Sequence, residues 1–349
     1  MAYSRAGAQE ALKLFETPDL LGLGQRANEM REWLHPDNVV TYIIDRNINY
    51  TNICTSGCLF CAFYKTSKSG EGYVLSPAEI RQKIEETIKL GGVQILMQGG
   101  LHPEWKIGEY EKLLKDIKSY SDIHIHAFSP PEICHVAELS GLSIKNVLSR
   151  LVDAGLDSIP GGGAEILADR VRSKLSPNKC SADEWLDVMR TAHGLGLKTT
   201  ATMMFGHVET LEERVRHIER IRELQDETGG FTAFIPWPFQ PGATALGKMG
   251  VEKKTGALDY LRTVAVSRIM LDNVPSVQSS WVTQGPKVSQ MALFFGANDM
   301  GSTMLEENVV KAAGVSFRLS EKEIRSIITD AGFTPRRRQQ DYSLLPEPV

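Results

Sequence analysis

At 349 residues, with 42% apolar and 23% charged positions, the chain has the composition of an ordinary globular protein of one large α/β domain or two smaller ones. A net charge of −4 argues against broad nucleic-acid binding, which needs a basic footprint, and no run of about 18 apolar residues is present to span a membrane. Met1 to Arg5 lacks the apolar core of a signal peptide, so a cytoplasmic, reducing setting is expected.

Residues 1–38 hold two helix-like stretches, Ala8 to Phe15 and Gly24 to Leu34, and predict a helical cap. Val39 to Ile44 is β-branched and aromatic and reads as the first strand. It leads through Asp45 to Asn52 into Cys54-Thr-Ser-Gly-Cys58-Leu-Phe-Cys61, a C-x3-C-x2-C loop. Three thiolates on one short loop can converge on a soft-metal centre. A [4Fe-4S] cluster normally takes four thiolates, and the remaining cysteines, Cys134 and Cys180, lie far along the chain. Three ligands leave one iron open to something other than protein, as a catalytic metal requires. Structural zinc is the competing reading, but zinc sites pair two short half-sites and no second one exists here. Five cysteines is an odd number and does not suit a disulfide framework.

Beyond the cysteines, residues 66–75 read as a mobile loop, and then helices and strands alternate. Ser76–Glu79, Ser181–Glu184, Thr210–Glu213 and Ser320–Glu323 have capping-box spacing and mark helix starts, and Ser143 opens a helix that stops at Gly155. Between them lie strand candidates at Val93 to Met97, Ile123 to Phe128, Leu156 to Ile159, Lys198 to Phe205, Phe231 to Trp237 and Ser276 to Val282. This alternation predicts parallel strands with helical crossovers, hence a TIM-like (β/α) barrel over 39–315, with the cap at 1–38 and a C-terminal helix and tail at 316–349. Arg336 to Arg338 reads as solvated surface. Gly99-Gly100, Gly161 to Gly163 and Gly206-His207 follow strands, on the rim where barrel active sites sit. The three glycines are expected to run into a helix carrying Glu165 in its first turn, where the helix dipole favours it; a ribose contact is the other reading. Among eight histidines, His126 and His207 are the better acid–base candidates, while His193 and His217 are expected to face solvent.

The cysteine spacing, with Phe60 before the last thiol, resembles the radical S-adenosylmethionine (SAM) superfamily. That resemblance implies a [4Fe-4S] cluster on Cys54, Cys58 and Cys61, with SAM on the open iron. It implies SAM contacts at Gly99, Gly100, Glu165, Gly206 and Glu209. Met203 to Glu209 matches the family's adenine-side G-x-I-x-G-x-x-E element at Gly206 and Glu209; Thr202 and Met204 depart from it.

Further blocks narrow the likeness: Asn49 to Cys54, Cys61 to Tyr64, Gln98 to Pro103, His126 to Glu132 and Gly296 to Thr303. They resemble the branch that holds two radical enzymes of the futalosine route to menaquinone and the deazaflavin synthase subunits. Asp157 to Glu165, Ala201 to Glu209 and Gln278 to Lys287 are most similar to the ring-closing member of that route. The resemblance implies the small-molecule substrate dehypoxanthine futalosine and reduced flavodoxin or ferredoxin as electron donor. Its neighbour, aminofutalosine synthase, is the alternative. Substrate contacts are expected at Trp237, Trp281, Asn298, Ser302 and Thr303, and a proton acceptor at Asp299, His207 or Glu307, between which the sequence does not choose.

Overall fold

A computed structural model describes residues 5–315 and 317–346. The expectation about the N-terminus falls largely on residues 1–4, outside the described residues. Ten strands are described: β1 Val39–Ile43, β2 Asp45–Ile48, β3 Gln94–Met97, β4 His124–Ala127, β5 Ser158–Ile159, β6 Lys198–Phe205, β7 Phe231–Pro238, β8 Ser276–Val277, β9 Asp299–Ser302 and β10 Thr334–Arg337. Strands β2 to β8 form one parallel ladder in chain order. In a second, β1 lies between β9 and β10, again parallel. A bridge from Gln278 to Asp299 joins β8 to β9, and β1 runs on into β2, so the strands follow one another around a ring. Parallel strands with helical crossovers put every strand's C-terminal end on one rim, and the connecting loops build the site there. This is the expected α/β barrel architecture.

The local signals act as the sequence suggests. Ser76, Ser181, Thr210 and Ser320 each close a capping box with the Glu three residues on. Ser129 and Glu132 form another that the sequence reading passed over. The 8–16 and 20–34 helices pack on the 211–228 and 257–270 helices through Phe15, Leu23 and Ala27.

Other expectations are corrected. The run Val39 to Ile44 forms β1 as far as Ile43, and a separate strand, β2, begins at Asp45 and ladders with different partners. The strand expected through Val282 stops at Val277; the Ser280 amide donates to Tyr260 Oη at 2.6 Å and the chain turns into a short helix at Trp281. The glycine run at 161–163 does not enter a helix; the next one begins at Asp169. At the end of the 66–75 segment, Thr51 Oγ1 donates to Tyr73 O at 2.6 Å and the Tyr73 amide donates to Asn52 at 2.8 Å. His217 is wholly buried, and both ring nitrogens of His193 are hydrogen-bonded, to Thr228 and Thr199, so neither is a solvent-facing bystander. Beyond the 321–330 helix the C-terminal segment supplies β10, and Arg338 is buried in an ion pair.

Candidate active site

Cys54, Cys58 and Cys61 lie on an irregular loop between β2 and the 77–89 helix, all as free thiols. The Ser56 amide donates to Cys54 Sγ at 3.4 Å, and Ser56 Oγ lies 2.9 Å from Cys58 Sγ. Burial pushes the Cys54 and Cys61 thiols up, so a cluster must displace their protons on binding. Among the described residues no three His, Cys, Asp or Glu side chains gather closely enough to hold a single metal ion. A cubane takes one thiolate on each of several irons. The donor set, three soft ligands on one loop with N–H groups aimed at sulfur, fits an iron–sulfur cluster.

Gly99 and Gly100 follow β3 and lie directly against this loop. A Cβ on Gly99 would fall 2.4 Å from the Tyr50 ring, and one on Gly100 would fall 2.2 Å from Ile53 O and 2.8 Å from Cys54 Cβ. Close packing on the cysteine loop therefore demands both glycines. Glu132 fixes the arrangement: its Oε1 accepts from Tyr50 Oη at 2.7 Å and from the Gly99 amide at 3.0 Å.

Inside the ring lies a cavity of about 280 Å³. Of the residues expected at the site, Glu165, Trp237, Trp281, Ser302 and Glu307 line it, as does the acid–base candidate His126. Glu165 is buried at φ 42° and pairs with Lys179 Nζ at 2.9 Å. Burial alone would lift its carboxyl, but the Lys179 and Arg172 charges outweigh this and hold it below the usual range. Lys179, invisible to motif reading, also faces the Phe60 ring at 5.1 Å and so joins the cysteine loop to the cavity. Trp281 is buried, its Nε1 donating to Ser302 O at 3.1 Å. Glu307 accepts from the amides of Val309, Val310 and Lys311.

The other expected residues stand outside the cavity lining. Asp299 accepts a two-pronged bond from Arg338, at 2.6 and 3.0 Å, and another from Thr41 Oγ1 at 2.5 Å. Asn298 Oδ1 takes Arg268 at 3.0 Å and the Val277 amide at 2.9 Å, tying β8 to β9. Thr303 is buried, its amide bonded to Ile43 O. His207 Nε2 donates to Met204 O at 2.9 Å; its Nδ1 lies 2.7 Å from the Val208 amide and 2.9 Å from Glu209 Oε2. Gly206, at φ 85°, donates to Glu209 at 2.6 Å, and Arg214 Nε pairs with the same carboxylate at 2.7 Å. Of the three expected proton acceptors, only Glu307 reaches the cavity.

Several lining residues escaped the sequence reading. Asp45, Asn47, Gln94 and Gln98 come from β2 and β3, while Arg338, Gln340 and Tyr342 come from the segment after β10. Asn47 Oδ1 and Gln94 Oε1 are buried without a partner and would accept hydrogen bonds from ligand hydroxyls. The side-chain alternation along β2, Asp45-Arg-Asn47, is a usable signal for two of these residues. Nothing local marks the tail.

Residues 48–221 match the family described as the radical SAM superfamily, and residues 228–349 match the CofH/MqnC C-terminal region. The chain is 45% identical over 342 residues to the cyclic dehypoxanthine futalosine synthase of Halalkalibacterium halodurans, covering 98% of this chain and 92% of that protein. It is 42% identical to a 5-amino-6-(D-ribitylamino)uracil–L-tyrosine 4-hydroxyphenyl transferase of Methanosarcina barkeri, covering 96% and 89%. Among solved structures, methylornithine synthase (PylB) superposes with a TM-score of 0.73 at 17% identity, covering 96% of this chain and 95% of that one, a likeness of fold.

Proposed function

The chain belongs to the radical SAM superfamily, in the branch carrying the CofH/MqnC C-terminal region, and on that premise we propose that it closes dehypoxanthine futalosine to its cyclic form in menaquinone biosynthesis. The observation that carries this reading is the 45% identity, across 98% of this chain and 92% of the relative, to a cyclic dehypoxanthine futalosine synthase. Cys54, Cys58 and Cys61 would hold the [4Fe-4S] cluster. Glycines 99 and 100, with Glu165, Gly206 and Glu209, would serve SAM. Once bound and reduced by a flavodoxin or ferredoxin, these groups supply a 5′-deoxyadenosyl radical.

In the proposed reaction a hydrogen leaves ribose C4′, the sugar carbon joins the benzoate ring of the same molecule, and loss of an electron and a proton restores aromaticity. The chain's own task is to hold sugar and ring together in a chamber closed to water, a proximity effect. Trp237 and Trp281 offer flat apolar walls for the ring. The unpartnered oxygens of Asn47 and Gln94 suit sugar hydroxyls. Ser280 and Thr283, whose hydroxyls lie 2.7 Å apart, can turn to a carboxylate.

A second reading is supported by the 42% identity to the hydroxyphenyl transferase, whose named substrate also pairs a polyol chain with an aromatic system. Reconstituted protein with SAM, reductant and C4′-deuterated dehypoxanthine futalosine tests the assignment. The expected result is singly deuterated 5′-deoxyadenosine and a cyclised product without the label. Turnover only with tyrosine and the ribitylaminouracil would replace the assignment by the transferase reading. Adenosyl carbons retained in the product of an enolpyruvyl-oxybenzoate would replace it by aminofutalosine synthase.

A further inference from the structure

Side chains two apart on a strand share a face, and β4 thereby sends His124 and His126 the same way. Ser158 on β5 pairs in register with His126. Its Oγ lies 2.7 Å from His126 Nδ1 and 2.7 Å from His124 Nε2, so one hydroxyl spans both imidazoles. His126 lines the cavity; His124, one layer nearer the N-terminal floor of the barrel, is half-buried.

We propose that His126 accepts the proton leaving the substrate's aromatic ring after cyclisation, and that Ser158 and His124 carry it through the barrel floor; this rests on the cyclase reading above. As the ring C–H bond breaks, its electron pair stays in the ring and an N–H bond forms at His126 Nε2. The proton on His126 Nδ1 passes to Ser158 Oγ, and the Ser158 proton passes to His124 Nε2. The accompanying single electron goes to an iron–sulfur acceptor, so charge balances.

The surroundings of each imidazole set the direction. His126 is fully buried and faces His124 and Arg338 with no carboxylate beside it. Burial, then those two groups, push its pKa well below the ordinary imidazole range. A cation there is costly, so a base at this position works only by handing its proton on. Burial lowers the His124 imidazole too, but less far than His126, because Asp157 and Asp341 favour an imidazolium there against Lys118, which is itself paired to Asp157 at 2.7 Å. The Gln340 amide nitrogen stands over the ring, 3.3 Å from His126 Nε2 and 3.4 Å from its Nδ1. The other carboxylates at the cavity are engaged. Asp45 accepts from Ser302 and from Gln94, and Glu307 accepts from three amides.

Two measurements test the relay. Ring-nitrogen NMR of the folded, histidine-labelled full chain should show His126 protonated at Nδ1, leaving Nε2 free; protonation at Nε2 instead would overturn the proposal. In single turnovers of the reconstituted enzyme, His126→Gln should still move C4′ deuterium into 5′-deoxyadenosine. Cyclised product per deoxyadenosine should fall by about 10²-fold. His124→Gln, at the half-buried end, should give a smaller fall without emptying the cavity wall, which keeps the test alive if the first variant is unstable. An unchanged ratio, or parallel loss of both products in a folded variant, overturns the role of His126 while leaving the cyclase assignment intact. Wild-type protein that forms no cyclised product overturns both.

Discussion

Glu165 has left-handed backbone geometry at φ 42° and no helix around it, so the dipole account of its placement fails and the pairing with Lys179 takes its place. Glu165→Gln should leave Lys179 buried without a counter-charge and lower stability by about 3–5 kcal/mol. If Glu165 also grips SAM, the double variant Glu165→Gln/Lys179→Met recovers melting temperature but not SAM affinity. Recovered affinity in that variant would reduce Glu165 to a partner for the lysine. Glu209 gives a pH test. Burial alone would lift its carboxyl, but His207, Arg214 and the Gly206 amide bring it down to about 2 from 4.5. A depressed folded pKa contributes stability that is complete above the unfolded value and is lost as pH falls through the folded one. Urea unfolding of the cluster-free chain should therefore lose about 3 kcal/mol more than Glu209→Gln between pH 5 and pH 2. Parallel pH curves for the two proteins would refute it.

Two elements supply the site, one from early in the chain and one from its C-terminal segment. The cysteine loop was legible from its spacing alone, since three thiols in eight residues have few other uses. Replacing Cys54, Cys58 or Cys61 by Ala should abolish the visible iron–sulfur absorption, or at least SAM cleavage. Cys134→Ala and Cys180→Ala should keep both, and a distant change that removes the cluster as completely would break the open-iron argument. Strand β10 was not legible. Thr334-Pro-Arg-Arg337 is polar, and its pairing with β1 joins residues almost three hundred apart. Arg338, just beyond it, reaches Asp299 and stacks over Tyr342 at 3.9 Å. Arg338→Met should destabilise by about 3–5 kcal/mol, because Asp299 is left charged and dry; Arg338→Met/Asp299→Leu should regain most of it. A double variant melting no higher than the single would show that the ion pair is not what holds the segment.

Across the whole molecule, periodicity and capping chemistry are local properties, and they sufficed for the βα alternation, five helix starts and the rim where the glycines gather. The cluster loop and the family likeness were equally open to reading, because each is carried by contiguous residues. Which side chains share the cavity was decided only by the ring of strands. Closure sets Asp299 into an ion pair with Arg338 and Asn298 into a tie between β8 and β9, and it brings Gln340 beside His126. Side-chain direction in a closed barrel depends on strand register and on partners hundreds of residues away. The sequence by itself therefore determined the chemistry available to this protein, and the tertiary structure decided which residues can deliver it.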